Sequence, residues 1–151
     1  MLVKEIMTKK VISVKPTDNL QDVLSIFSKY RISGMPVVDK NNCIKGMVTE
    51  SDVLKTIDVC LPKIRFDSNT AFKLIVELVK TPNIENMKKH CKNVKVNDFM
   101  EKKVFIIKPN ENIIKAAEIM NNKNIKRLAV VEGKKLVGII ARADIIRALA
   151  K

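Results

Sequence analysis

The chain has 151 residues, 46% of them hydrophobic, which is enough for one compact domain or for two small domains packed closely together. Its net charge of +13 would attract polyanions, but an aromatic content of only 4% argues against nucleic-acid binding by base stacking. Three cysteines argue against a disulfide framework, and no apolar run reaches the roughly 18 residues of a transmembrane helix, so we expect a cytoplasmic protein with no membrane partner.

The first predicted elements are a short strand and a helix. The stretch from Val11 to Val14 is extended and ends at Pro16, because proline cannot donate a ladder hydrogen bond. We expect Thr17 or Asp18 to cap the helix that follows. Its apolar residues recur at helical spacing and predict one buried face: Leu20, Val23, Leu24, Phe27 and Tyr30.

Two strands joined by a polar turn are predicted next. Met35 to Val38 and Ile44 to Val48 are short and apolar, and the polar segment Asp39 to Asn42 between them is typical of a hairpin. Ser51 or Asp52 is then expected to begin a second helix.

The middle of the chain is predicted to be helical and not a flexible linker. Phe66 to Lys80 carries apolar residues at helical spacing, and Pro82 resists continuation of that helix. Asn83 to Lys95 is polar and basic, and it is predicted to add a short second helix. His90 and Cys91 lie in this segment, and we expect both at the surface because two residues are too few for a metal site.

The last third of the chain repeats the first. Met100 follows Met7 by 93 residues, and Asp144 follows Asp52 by 92, because one intervening turn is a residue shorter. The repeated elements are strands at Val104 to Ile107, Leu128 to Val131 and Leu136 to Ile140, a helix through Ile113, Ala117 and Met120, and a helix from Asp144. Two copies of a β-α-β-β-α unit predict a pseudo-twofold pair with matching sites at its junction. Each copy has only about 50 residues, so we expect the copies to share a core.

The turn before the second helix of the first copy carries the chemically distinctive residues. It runs from Gly46 to Leu54 and includes Thr49, Ser51 and Asp52. The Asp52 carboxylate could cap the helix by accepting backbone N–H groups, or it could accept the two hydroxyls of a ribose, and residue chemistry alone favours the cap. We expect no enzyme, because the chain has a single histidine and no phosphate-binding glycine loop.

The duplication, the segment Ile32 to Asp39 and the motif Gly46-x-x-Thr49-x-Ser51-Asp52 together resemble a tandem CBS-domain pair, or Bateman module. The resemblance covers almost the whole chain. It implies an α+β fold in which two β-α-β-β-α repeats, related by a pseudo-twofold, pack sheet against sheet into one module. It also implies these boundaries: repeat 1 at residues 1–58, a helical inter-repeat segment at 59–95 and repeat 2 at 96–151.

The resemblance further implies two clefts, each with a ribose-binding aspartate from one repeat and adenine contacts from the other. One cleft is expected to combine these residues: Thr49, Ser51, Asp52, Phe105, Ile125 and Lys126. The other is expected to combine Asp144 with Ile12, Ile32 and Ser33, and to hold Lys126 and Arg127 near a phosphate. Because Ala141 and Ala143 replace two hydroxyl residues there, we expect that cleft to bind a ligand roughly tenfold or more weakly, although Arg127 and Arg142 could compensate for an anionic phosphate.

A free-standing pair of this kind resembles a regulatory subunit without enzyme activity and without a resident cofactor. The implied ligand is AMP, ADP or ATP, or alternatively S-adenosylmethionine or methylthioadenosine. The resemblance implies a homodimer and a regulated partner protein, which the sequence does not name. Two alternatives stay open: a basic nucleic-acid-binding protein on a CBS scaffold, and a structural dimerisation module with vestigial clefts.

Overall fold

The computed structural model describes residues 1–60 and 84–150. Their helices and strands, in chain order, are α1 (Val3–Ile6), α2 (Leu20–Tyr30), β1 (Gly34–Val38), β2 (Ile44–Thr49), α3 (Glu50–Cys60), α4 (Ile84–Asn93), α5 (Val96–Phe99), β3 (Ile106–Ile107), α6 (Ile113–Asn122), β4 (Arg127–Glu132), β5 (Lys135–Ala141) and α7 (Arg142–Leu149). The helix predicted from Phe66 to Lys80 lies outside the described residues.

The two hairpins have the same pairing pattern in both repeats. β1 pairs antiparallel with β2, and β4 pairs antiparallel with β5. The register shifts between Val37 and Val38 in the first hairpin and between Val130 and Val131 in the second. These positions are 93 residues apart. The two copies therefore share a backbone irregularity as well as a sequence pattern.

The strand predicted at the start of each repeat is shorter than expected. β3 pairs in parallel with β4 over two residues, and in the first repeat Val14 forms a single parallel bridge to Val37. Pro16 follows two residues after Val14 and cannot donate the next ladder hydrogen bond. The strand therefore ends where predicted, and it is short because its pairing begins only at Val14.

Helix α2 is capped by Asn19. The Asn19 side chain accepts a hydrogen bond from the Asp22 N–H at 3.0 Å, and the Asp22 carboxylate accepts one from the Asn19 N–H at 3.0 Å. This reciprocal pair is a capping box. The prediction that Thr17 or Asp18 caps the helix was wrong, because Asp18 accepts the Lys15 N–H at 2.8 Å in the preceding turn.

The apolar face of α2 is buried as predicted except at its last residue. Leu20 and Val23 are fully buried, and Leu24 and Phe27 pack against the same core. Tyr30 is 48% exposed, so its predicted burial was wrong. The helix ends at this residue, because Arg31 adopts a left-handed backbone conformation with φ 51°.

The second helix of each repeat begins earlier than predicted. α3 begins at Glu50 and α7 at Arg142, each two residues before an aspartate. Asp52 and Asp144 are thus the third residues of their helices, and each accepts the N–H of the residue that precedes its helix. Both aspartates cap their helices from within the first turn.

Helix α4 occupies most of the segment for which a short helix is predicted. His90 is exposed, as expected, but Cys91 is buried, so its predicted surface position was wrong. α4 packs against α2. Because consecutive residues of a helix face different sides, one of this pair faces solvent while the other enters the core.

Three apolar clusters hold the described residues together. The first core contains Val14, Leu20, Val23, Met35, Val37, Val48, Val53, Cys91 and Val96. The second core contains Val3, Ile107, Ala116, Met120, Leu128, Val130, Ile140 and Ile145. The shared core contains Val38, Met47, Ala129, Val131 and Leu136, which come from both hairpins. The fold is therefore α+β with the two sheets packed together, and the expected shared core is confirmed.

The leading segment of each repeat packs on the opposite repeat. Val3 of α1 is fully buried in the second core, and its N–H donates to the Glu111 carbonyl at 2.9 Å. Val96 of α5 is fully buried in the first core, and its N–H donates to the Asp18 carbonyl at 2.8 Å. This exchange was not predicted. Each repeat is consequently completed by residues that precede the other one.

A methionine of each exchanged segment lies against a glycine of the opposite hairpin. A Cβ atom at Gly46 would lie 2.7 Å from the Met100 Sδ and 3.0 Å from the Glu101 carbonyl oxygen. A Cβ atom at Gly138 would lie 2.5 Å from the Met7 Sδ. The two glycines therefore permit the close approach of the exchanged segments.

We predict that Gly46→Ala lowers the free energy of unfolding by about 1–3 kcal/mol, because the added methyl group meets a backbone carbonyl as well as a side chain. The matched control, Gly138→Ala, should cost less, because the nearest atoms all belong to the flexible Met7 side chain. Urea denaturation of the two variants measures this difference. Equal destabilisation would show that the Glu101 carbonyl can move out of the way.

Candidate ligand-binding site

A cavity of about 350 Å³ lies between the two repeats. We call it the Asp52 cavity. The first repeat contributes Ser33, Met47, Thr49, Glu50, Ser51 and Asp52 to its lining. The segment that leads into β3 contributes Glu101, Lys103, Val104 and Phe105. The segment that leads into β4 contributes Asn124, Ile125 and Lys126, and the first residue of β4 contributes Arg127. A molecule in this cavity would therefore contact both repeats.

The Asp52 carboxylate uses one of its oxygens to hold the β2–α3 turn. The Thr49 N–H and the Thr49 hydroxyl both donate to Asp52 Oδ2, each at 2.8 Å. Within the described residues, Asp52 Oδ1 accepts no hydrogen bond. The helix cap and ribose binding, which compete as roles for Asp52 in the sequence, are therefore compatible, because each role can use its own oxygen.

Arg127 brings a positive charge into the cavity from the start of β4. Its guanidinium Nη2 donates to the Ser33 Oγ at 2.6 Å, and the side chain passes close over Gly34. Burial lowers the pKa of the Arg127 guanidinium, and the negative charge of Glu50 opposes this effect. The group stays protonated at neutral pH, because the guanidinium of arginine is not deprotonated in proteins.

The Arg127 charge has no ion-pair partner within the described residues. Among residues 1–60 and 84–150 the guanidinium donates one hydrogen bond, to Ser33, so further N–H groups are available. A half-buried guanidinium that forms no ion pair with these residues is suited to binding an anionic group such as phosphate.

Apolar surface on the wall formed by the second repeat can contact a planar base. Phe105 and Ile125 line the cavity and are half-buried. The ammonium groups of Lys103 and Lys123 each lie 5.7 Å from the centre of the Phe105 ring. The ring thus combines an apolar surface with nearby positive charge.

The charged residues of the cavity are divided between its walls. The first repeat supplies Glu50 and Asp52, whereas the opposite wall supplies Lys103, Lys126 and Arg127. Glu101 is an exception on the wall that carries the cations, and its carboxylate accepts a hydrogen bond from the Lys103 N–H at 2.8 Å. A ligand that carries hydroxyl donors at one end and an anionic group at the other would match this separation of charge.

The structure brings together all six residues that the resemblance assigns to one cleft: Thr49, Ser51, Asp52, Phe105, Ile125 and Lys126. Ser33 and Arg127, which the resemblance assigns to the other cleft, also line this cavity. Ile12 and Ile32 instead pack partly buried against the first core.

Several lining residues escaped the sequence analysis. Glu50 lies inside the motif that runs from Gly46 to Asp52, but only Thr49, Ser51 and Asp52 of that motif were expected in the cleft. Lys103 precedes Phe105 by two residues, and the period of two along an extended chain places both on one face. This alternation could have identified Lys103 as a lining residue from the sequence. Asn124 directly precedes Ile125, and no comparable pattern marks it as a lining residue.

The surroundings of Asp144 differ from those of Asp52. Asp144 Oδ2 accepts the Ala141 N–H at 2.7 Å, and Asp144 Oδ1 forms an ion pair with Arg147. The Arg142 guanidinium donates to the carbonyls of Ile125 and Met120 at 3.0 Å and 3.3 Å. Asp144 does not line the Asp52 cavity.

No helix in residues 1–60 and 84–150 is both long and apolar enough to cross a bilayer. In the same part of the chain, no three histidine, cysteine or carboxylate side chains are grouped so that they could hold a metal ion.

Comparisons with known proteins identify the repeats. The family model of the CBS domain matches residues 3–59 and 96–151. The protein MJ1426 of Methanocaldococcus jannaschii is 39% identical over 154 residues, which cover 99% of this chain and 91% of that protein.

Two solved structures have the same fold. One is CBSX2 in complex with AMP, with 22% identity, a TM-score of 0.73 and coverage of 99% of this chain and 96% of that one. The other is the CBS domain pair of MJ0100 in complex with 5′-methylthioadenosine and S-adenosyl-L-methionine, with 21% identity, a TM-score of 0.73 and coverage of 99% and 96%.

Proposed function

Because the chain belongs to the CBS-domain family, we propose that it is a regulatory module that binds an adenosine-containing ligand in the Asp52 cavity. The observation that carries this proposal is that Asp52, whose Oδ1 accepts no hydrogen bond from the described residues, lines a cavity between the two repeats. The crystal structures of CBSX2 with AMP and of the MJ0100 pair with two adenosine ligands support the ligand class.

In the proposed complex, the ribose and the adenine of the ligand contact different walls of the cavity. The ribose hydroxyls donate to Asp52 Oδ1, as they do to acidic residues in dinucleotide-binding folds. The Thr49 and Ser51 side chains line the cavity on the same side. The adenine packs against Phe105 and Ile125, because an aromatic ring and an aliphatic side chain are suitable surfaces for a base.

We favour a phosphorylated adenosine over S-adenosylmethionine as the ligand. The 5′ phosphate of AMP, ADP or ATP would meet the guanidinium of Arg127 and the ammonium of Lys126. The positively charged sulfonium of S-adenosylmethionine would meet the same cations and be repelled. Methylthioadenosine, which is uncharged at sulfur, would gain nothing from them.

The proposed mechanism is a population shift without turnover. A ligand that bridges the two repeats favours the relative orientation in which both walls contact it. A partner protein in the cytoplasm, or a second copy of the chain in a homodimer, recognises the orientation that the ligand favours. The shift can be no larger than the difference in ligand affinity between the two orientations.

Calorimetric titration with AMP, ATP and S-adenosylmethionine tests this function. We expect saturable binding of AMP, with only a small loss of affinity between about 50 mM and about 200 mM salt, since a single phosphate is engaged. Duplex DNA provides the comparison, because binding through 6–10 phosphates would weaken by about 1000-fold or more over that range. The proposed function is wrong if DNA binds but no adenosine ligand binds and none raises the melting temperature of the protein.

A further inference from the structure

We propose that Arg147 closes the second ribose site, so that the chain holds one adenosine ligand, in the Asp52 cavity. The inference rests on the proposed function and names the residue that determines how many ligands one chain binds. It starts from the pair of equivalent aspartates, Asp52 and Asp144, which are 92 residues apart and cap equivalent helices.

The two aspartates differ in the second carboxylate oxygen. Each uses Oδ2 to accept the N–H of the residue before its helix. Asp52 Oδ1 accepts no hydrogen bond from the described residues, whereas Asp144 Oδ1 is paired with the Arg147 guanidinium. A ribose could therefore reach Asp52 directly, but it would have to displace Arg147 from Asp144.

The residue equivalent to Arg147 in the first repeat is Lys55, again 92 residues earlier. Within the described residues Lys55 forms no ion pair with Asp52. The planar guanidinium of arginine matches a carboxylate better than an ammonium does, and it loses less freedom when it binds. The difference between the repeats at this position thus selects which aspartate is free.

The residues around Asp144 offer a ligand few contacts that would offset the loss of the Asp144–Arg147 ion pair. Ala141 and Ala143 stand where Thr49 and Ser51 stand in the first repeat, so two hydroxyl groups are missing. Gly34 occupies the position that is equivalent to Arg127, so the cation for a phosphate is missing as well.

In the second repeat the residue equivalent to Glu50 is Arg142, which already forms other hydrogen bonds. Its guanidinium donates to the backbone carbonyls of Ile125 and Met120. Breaking the Asp144–Arg147 pair would therefore be followed by few new contacts. Occupancy of the second site is unfavourable for this reason.

Titration of AMP into the intact chain measures the number and strength of binding events. The wild type should bind one AMP per chain, with any second event at least about tenfold weaker. Arg147→Ala should strengthen the second event about fivefold and leave the first unchanged, since an exposed ion pair no longer competes for Asp144. Lys55→Ala is the matched control and should change neither event.

A double variant tests whether the stronger second binding event depends on the Asp144 carboxylate. In Arg147→Ala with Asp144→Ala, the strengthened second event should disappear, because the freed carboxylate is removed. Two equal events in the wild type would overturn the inference, as would a second event that is absent or unstrengthened in Arg147→Ala. If the wild type binds no AMP at all, the proposed function itself fails, and the two failures are thus distinguished.

Discussion

Replacing Asp52 with alanine should weaken AMP binding by about 100-fold or more. The proposed ribose contacts are hydrogen bonds to a charged acceptor, each worth about 1.5–3 kcal/mol, and a loss of about 1.4 kcal/mol is tenfold in affinity. Isothermal titration of the variant against AMP measures the loss. Asp52→Asn should give a smaller loss, because the amide oxygen still accepts hydrogen bonds but carries no charge.

Asp144→Ala is the matched control for this substitution. Both aspartates accept a backbone N–H at the start of a helix, at 2.8 Å and 2.7 Å, so either alanine should cost about 1 kcal/mol of folding stability. Only the Asp52 variant should lose affinity for AMP. If both variants lost affinity equally, the effect would arise from the helix caps and the proposed role of Asp52 would be wrong.

Local patterns were sufficient to predict most of the fold. The alternation of short apolar runs with polar turns predicted both hairpins. The recurrence of the same residues 93 or 92 positions later, such as Met7 and Met100, predicted their duplication. The exchange of α1 and α5 between repeats could not be predicted in this way. Whether Val3 packs on its own repeat or on the other one depends on contacts distant in sequence, and both alternatives have the same local pattern.

Errors at single residues have a similar origin. The apolar spacing places Tyr30 on the buried face of α2, but burial also requires that the core extend as far as the helix end, where this residue is 48% exposed. Cys91 was expected at the surface, in a polar and basic segment with too few ligands for a metal site. Its burial depends on the packing of α4 against α2, which no local pattern reports.

The offset between the repeats predicted some of the residues that line the Asp52 cavity and misassigned others. Asp52 and Phe105 were placed in one cleft by position in the two copies, and the structure puts both around one cavity. Arg127 was placed with the other aspartate. It lines the Asp52 cavity because the equivalent residue, Gly34, has no side chain and leaves room for the guanidinium beside Ser33. That choice depends on the space between two surfaces, which a sequence offset does not describe.

Replacing Arg127 with alanine should weaken binding of AMP by about 10-fold to 100-fold and leave binding of adenosine nearly unchanged. A hydrogen bond to a charged group contributes about 1.5–3 kcal/mol, and the half-buried Arg127 has no competing ion pair within the described residues. Adenosine lacks the phosphate and so gains nothing from the guanidinium. Parallel titrations with AMP and adenosine give the two losses.

Two further variants separate charge from geometry at this position. Arg127→Lys keeps the charge but loses the planar donor pair, so its loss for AMP should lie between those of the wild type and Arg127→Ala. Arg147→Ala removes the same charge outside the cavity and should leave the main AMP event unchanged. An equal loss for AMP and adenosine in Arg127→Ala would contradict phosphate binding. It would mean that Arg127 acts by packing over Gly34 and holding Ser33, and that the ligand's anionic group lies elsewhere.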